Sequence, residues 1–474
     1  MPLPEKHKNK CQIGRREQGA ITLFVNINGM RSRPANSFRV VVRFLVGMVA
    51  LISVSGTAAA CELTILTSYP SSFYKPFIDL FVKQTGMSDV CVQNKNTIGL
   101  ISHVRENRRP VPDIVWASSP VAFELLDQHG ALAQFPDKLS AFSDMAGIIP
   151  DSPNGSRFGF ALSTIGLMSR EDQAALETVE IADLASPDYS GLLGMSSPSR
   201  SGTTHLFVES LLQQYGWQEG WALLSQIGGN LATVTARSFG VRDGVARSRF
   251  RYGIGIDFLA RAEFPSGEGL AFRSFAPGWY FPASVAVTGV GAHNALSLRF
   301  VDFLRSSTAQ ELLLAPEIGR IPINPALWSR AGFSPTVQEP HHRLDLELAA
   351  QRMVVVNALY DDMITHRLLE LKKLWVALRR LENTPVITQS DSMRSLLGAV
   401  RDSLEIVPVA AFMANESSFE QAFSAAGPSE NALAGRLRIQ DSWSNDFSQR
   451  FKTARELIAR MDAFQNHLDP GALE

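Results

Sequence analysis

Cysteine is scarce in this chain: three residues in 474, too few to staple a fold. Charge of one sign is not in excess either. Lys and Arg total 45 against 46 Asp and Glu, a net charge of −1. That balance removes the long-range attraction that draws basic proteins to nucleic acid or to anionic membrane surfaces, so no nucleic-acid partner is expected. The motifs of common catalysts are missing. There is no Gly-x-Ser-x-Gly elbow and no phosphate loop ending Gly-Lys-Ser/Thr. Gly253 and Gly255 precede Asp257, but Phe258 stands where a dinucleotide fingerprint needs its third glycine. The nine histidines show no ligand spacing, and the adjacent His341 and His342 cannot share one helix face. These absences argue against an enzyme and leave neither metal nor cofactor to expect.

What is present is globular: 45% hydrophobic and 19% charged residues, with length enough for two or three cored domains. The first sixty residues read as a leader. Arg39 and Arg43 flank three valines, Phe44 to Val54 is apolar, and the stretch closes on small residues ending Ala58-Ala59-Ala60. This is the pattern of a secretory signal, and its apolar part is short for a membrane span. Met30, followed by Arg31 and Arg33, makes a better start than Met1. Cleavage after Ala60 leaves Cys61 and Cys91 in the exported chain. Their sulfurs can meet if the strands beside them are neighbours in a parallel sheet, which an oxidising compartment permits. The competing reading is a lipid anchor on Cys61.

From Cys61 onward short apolar runs alternate with helical periodicity. Glu62 to Thr67, Asp89 to Gln93 and Asp113 to Ala117 read as strands. Ser68 to Ser72 reads as a polar turn. Helices are expected over Phe73 to Thr85, Thr97 to Asn107 and Val121 to Gln128. This βαβαβα order predicts a parallel sheet covered by helices, with ligands beyond the carboxyl ends of its strands. Phe158 to Met168 and Trp279 to Thr288 look extended and flank a second αβ region, as if the chain leaves one lobe, builds another and returns through a hinge. Leu296 to Leu304 and Thr308 to Leu314 read as helices, and Gly319 to Pro325 as a closing segment. The expected boundaries are a leader over 1–60, one lobe over 61–160 and 282–330, a second over 161–281, and a helical domain over 335–474.

The segment Met195-Ser-Ser-Pro-Ser-Arg-Ser-Gly-Thr-Thr-His205 stands between an apolar run and an amphipathic one. Small hydroxyl residues, one Arg and one Gly ahead of a helix can turn backbone N–H groups and a positive helix end toward an anion. The alternative is a strand-to-helix turn that binds nothing. A cleft that captures an anion would draw on Ser71, Ser72, Ser119, Arg200, Ser201, Gly202, Thr203 and Ser238, with Asp257 as a ligand contact, a helix cap or a solvated acid. Arg200 is the leading candidate, because a guanidinium fork beside Gly202 and a helix start makes a coherent anion geometry.

Several stretches, in this order and spacing, resemble bacterial extracellular solute-binding proteins of the two-lobed type that includes ferric-ion, thiamine and phosphonate binders. They are Asp113-Ile-Val-Trp-Ala-Ser-Ser119, Ala182 to Gly191, Ser199-Arg-Ser-Gly-Thr203, Gly253-Ile-Gly-Ile-Asp257, and Phe303-Leu-Arg-Ser-Ser307 with Gln310. The resemblance implies a periplasmic α/β clamp with crossing hinge strands that takes a small solute. The opening Leu63 to Tyr74 and the long tail after Pro325 resemble the regulatory branch of that family, which senses phosphoglycerate together with a membrane histidine kinase that induces a transporter. This implies a small phosphorylated or carboxylated anion as ligand. The alternative partner is an ABC permease, in a transport-only role. Ferric members place adjacent tyrosines just after the strand that here ends Ile256-Asp257; this chain continues Phe258-Leu259, which speaks against iron.

After Pro340 the character changes. Leu344 to Leu381 carries apolar residues three and four apart and predicts one long amphipathic helix. Ser417 and Glu420 could form a capping box, and Trp443 to Phe464 is another striped helix. An ordinary cargo carrier needs no such module, so the tail points to a protein partner, while the chain itself is expected to be a monomer.

Overall fold

A computed structural model describes residues 61–468, except 88, 139–144, 146–147, 171–178, 263–268, 277, 335–342, 417–418 and 420–429. The leader with Met30, the His341-His342 pair and the Ser417/Glu420 capping box lie outside the described residues.

The first lobe begins β1 (Leu63–Thr67), α1 (Ser71–Thr85), β2 (Val90–Asn94), α2 (Thr97–Arg105), β3 (Ile114–Ala117) and α3 (Pro120–Gln128). β1 is buried at all five positions and pairs in parallel with β2 on one side and β3 on the other. Its run Leu-Thr-Ile-Leu-Thr is the near-continuous apolar pattern of a strand covered on both faces. α1 opens at Ser71, with Pro70 as its N-cap, so the turn after β1 is shorter than its polar residues suggest.

β4 (Phe158–Ser169) is buried along its whole length. The second lobe follows with β5 (Val179–Glu180), β6 (Leu193–Ser196), α4 (Gly202–Tyr215), α5 (Trp217–Asn230), β7 (Leu231–Thr235), α6 (Ser238–Ala246), β8 (Tyr252–Ile256), α7 (Asp257–Arg261) and β9 (Ala271–Ala276). The chain returns through β10 (Tyr280–Val287), α8 (Ala295–Arg305), α9 (Ser307–Leu312) and β11 (Ile321–Pro322). The sheet runs β2-β1-β3-β10-β4-β8-β6-β7. β4 is the crossing strand. Its first half pairs with β10 and β11, and its second half with β8 and β9. β9 and β10 therefore lie end to end along β4, and the two lobes meet across this ribbon.

The tail holds α10 (Leu346–Gln351), α11 (Met353–Tyr360), a π-helical turn (Asp361–Thr365), α12 (Leu368–Glu382), α13 (Pro385–Thr388), α14 (Asp391–Glu405), α15 (Ala411–Ala414) and α16 (Glu430–Leu468). The single helix expected over Leu344 to Leu381 is thus interrupted. At the break the Asp361 carboxylate accepts from Ser197 Oγ at 2.8 Å and from Thr365 Oγ1 at 2.6 Å. The tail packs on the second lobe, Trp375 and Leu378 sharing one core with Leu206, Trp221 and Ile227, while α10 lies against α3 of the first lobe.

Candidate functional site

The cleft is built from the ends of strands and the starts of helices. The carboxyl end of β1 contributes Ser68 and Tyr69, the start of α2 Asn96 and Thr97, and the end of β3 Ser118 and Ser119. Opposite them, the segment after β6 contributes Arg200 to Thr203, that after β7 contributes Arg237 to Phe239, and the end of β8 with the start of α7 contributes Ile256, Phe258 and Leu259. The cavity between these walls is small, about 50 Å³. Open α/β sheets place their ligands at such strand ends.

Ser201 caps α4, its Oγ accepting from Thr204 N at 3.2 Å, and it shares a 2.7 Å hydrogen bond with Ser238 Oγ at the start of α6. Gly202 N donates to Thr97 Oγ1 at 3.2 Å and so links the lobes directly. A Cβ at position 202 would stand 2.5 Å from Ser119 Cβ, which only glycine avoids at so close an approach. The first turns of α2, α4 and α6 and the N-cap of α3 all border the cleft. Unsatisfied N–H groups and the positive ends of helix dipoles favour an anion there. The exposed Arg200 and Arg237 add two positive charges, neither forms an ion pair among the described residues, and no Asp or Glu is among the lining residues.

Beneath the cleft, at the crossing of the lobes, lies a buried polar group. Ser119 Oγ, Thr164 Oγ1, Asp257 Oδ2, and Arg320 Nε and Nη1 all lack a hydrogen-bond partner among the described residues, and Tyr69 Oη is buried with them beside Ser118 and Arg320. Arg320 is 1% exposed and donates through Nη2 to Ser163 Oγ of β4 at 2.9 Å. Burial raises the Tyr69 phenol above its usual range, with Arg320 opposing. Burial likewise raises the Asp257 carboxyl, opposed by Arg261 and Arg320.

Of the residues expected from sequence, the structure brings Ser119, Arg200, Ser201, Gly202, Thr203 and Ser238 to one cleft. Ser71 and Ser72 do not line it. The early start of α1 at Pro70 puts both on its exposed first turn, and Ser68 and Tyr69 take the wall. Asp257 does not line it either. It is fully buried at the start of α7, accepting from Thr164 N at 3.3 Å, with Arg261 Nε 3.8 Å from its Oδ2. Tyr69, Thr97 and Phe258, which line the cleft, and the buried Arg320 behind them went unread from sequence. The polar strand ends carried a signal for Tyr69 and Thr97; nothing local marked Arg320. Cys61 and Cys91 form a disulfide with Cα atoms 5.7 Å apart, β1 and β2 being parallel neighbours. Among the described residues no group of three or more His, Cys, Asp or Glu could hold a metal ion, and no helix is long and apolar enough to cross a membrane.

Residues 67–315 match the profile of the family described as bacterial extracellular solute-binding protein. The chain is 32% identical over 347 residues to the phosphoglycerate transport regulatory protein PgtC of Salmonella typhimurium, covering 72% of this chain and 85% of that one. In fold it is similar to the periplasmic binding protein AfuA of Actinobacillus pleuropneumoniae, solved with fructose-6-phosphate bound, at a TM-score of 0.50 and 16% identity over 66% of this chain and 97% of that one. It is also similar to the apo ferric ion-binding protein A of Pasteurella haemolytica, at a TM-score of 0.52 and 17% identity over 64% of this chain and 98% of that one. The two-lobed fold is what these likenesses and the topology have in common.

Proposed function

Because the chain belongs to the bacterial extracellular solute-binding protein family, whose members bind solutes without turning them over, we propose that its solute is a small phosphorylated or carboxylated anion of the phosphoglycerate type. One observation carries this reading: a cleft with two guanidinium groups unpaired among the described residues, four helix starts and no carboxylate in its lining. An anion held there replaces lost hydration with fixed donors from both lobes and favours their closure. The name of the Salmonella relative supports phosphoglycerate within that class.

The protein acts outside the cytoplasm, a reading supported by the family, the signal-like leader and the Cys61–Cys91 disulfide, which also occupies the sulfur a lipid anchor would need. The tail supports a regulatory role in which occupancy is reported to a membrane sensor kinase, rather than delivery alone to an ABC permease. Its π turn contacts the back of the anion-binding loop at Ser197, so the segment that grips the ligand is also the one the tail touches.

A thermal-unfolding screen tests the ligand class, since a ligand of the folded state raises its stability by mass action. Phosphoglycerates and phosphoenolpyruvate should raise the midpoint by several degrees, with smaller effects from phosphate and none from thiamine or Fe(III). A response to thiamine or iron alone would refute the anion reading.

A further inference from the structure

We propose that Arg320, with Tyr69 and Ser119, forms a second, buried anion subsite at the cleft floor, so that the protein reads both ends of a doubly anionic ligand: phosphate at the Arg200 loop and carboxylate at Arg320. The inference rests on the anion reading above and narrows it to phosphorylated carboxylic acids.

Arg320 is a guanidinium with no salt bridge among the described residues, almost wholly removed from water. Its central carbon lies 4.4 Å from the Phe258 ring centre and 5.1 Å from that of Tyr69, and both of these rings line the cleft. Phe73 and Phe160 complete an aromatic enclosure at 5.5 and 5.7 Å. Ring faces stabilise the charge but accept no in-plane hydrogen bond, and Nε and Nη1 stay unmatched. The carboxylate in its field, Asp257, makes no ion pair with it: Oδ1 accepts from the Thr164 N–H and Oδ2 stands 3.8 Å from Arg261 Nε. Buried polar atoms in native proteins are nearly always paired, and a buried charge is costly unless it is matched. Here two guanidinium nitrogens stay unmatched directly behind Tyr69 and Phe258 of the cleft wall, Tyr69 also interacting with Arg320, and the buried Ser119 hydroxyl of the same wall is unmatched as well.

The two subsites suit different anions. Arg200 and Arg237 are exposed and stand beside the starts of α4 and α6, where a phosphate can keep part of its hydration. The floor is buried and offers a single planar fork, which matches a carboxylate's geometry and single charge.

Binding of 3-phosphoglycerate, glycerol 3-phosphate, glycerate and inorganic phosphate to the purified protein tests this. The wild type should prefer 3-phosphoglycerate to glycerol 3-phosphate by about tenfold or more, the scale of a charge-assisted hydrogen bond to a carboxylate. Arg320→Gln should bind both about equally. Arg200→Ala should weaken both while the ratio survives. Tyr69→Phe, which keeps the ring and loses only the hydroxyl, should lower the ratio by about threefold, and it stands as the test should Arg320→Gln fail to fold. A folded Arg320→Gln, or Tyr69→Phe in its place, with the full wild-type ratio overturns the second subsite and leaves the anion reading standing. A wild type that binds none of the four removes the anion reading and the subsite with it.

Discussion

Glu209 and Arg352 show how the tail is fixed to the second lobe. Arg352 Nη2 donates to Glu209 Oε2 at 2.8 Å and Nε to Oε1 at 3.0 Å, with both side chains buried. His205, one turn earlier on α4, has its ring nitrogens 3.0 Å from Asn357 Oδ1 and 3.2 Å from the Ala349 carbonyl, and its burial holds its pKa below the usual range. A buried pair of this kind is costly to break from one side. Glu209→Ala should lower unfolding stability by about 3–5 kcal/mol in chemical denaturation, whereas Glu209→Leu with Arg352→Met should lose far less. Equal losses for the single and double variants would mean that the pair carries no special role. At this scale the sequence is legible where chemistry is local. Arg200, Ser201 and Gly202 announce themselves because the whole cradle sits in one short stretch. Arg320 is illegible, since only the return of the chain through β10 and β11 brings it behind Tyr69. Asp257 misleads for the opposite reason: it follows a strand end as a ligand contact would, yet α7 turns it away from the cleft and into the hinge.

The elements of the two lobes follow from periodicity, because a strand buried on both faces and a helix buried on one leave distinct traces in sequence. The break between α11 and α12 leaves no such trace. At the break Asp361 partners Ser197, more than a hundred and sixty residues away, and single-turn π insertions tend to mark functional places. Between α5 and α12 the fit is set by glycine. A Cβ on Gly229 would stand 2.6 Å from the Trp375 ring, and one on Gly228 would stand 3.0 Å from Leu371. Trp375 also donates from Nε1 to Ser225 Oγ at 3.1 Å, and that hydroxyl donates to the Leu404 carbonyl at 2.6 Å. Gly229→Val should overpack this seam, costing about 1–3 kcal/mol. It should raise amide hydrogen exchange in α12 ahead of β1 and β3. Unchanged exchange in α12 would show that the seam tolerates the added bulk.

Across the whole molecule, the tail shares one apolar cluster with parts of both lobes, while β1 and α1 of the first lobe belong largely to a separate cluster. Trp221 and Ile227 of the second lobe, Val121 and Leu125 of the first, and Trp375, Trp443 and Phe447 of the tail belong to a single apolar cluster. Removing the tail would strip cover from α5, so binding and signalling are better separated by point variants in the intact chain than by truncation. The striped helices of the sequence foretold apolar packing on one another or on a lobe, and both occur, with the second lobe as the main partner. The account as a whole depends on anion capture between the lobes, and calorimetric titration of the intact protein with 3-phosphoglycerate tests it most directly. We expect saturable binding of one ligand per chain, weakened at least tenfold in Arg200→Ala, the size of one lost charge-assisted contact. Binding of undiminished strength in Arg200→Ala, or no heat of binding from the wild type, would contradict it.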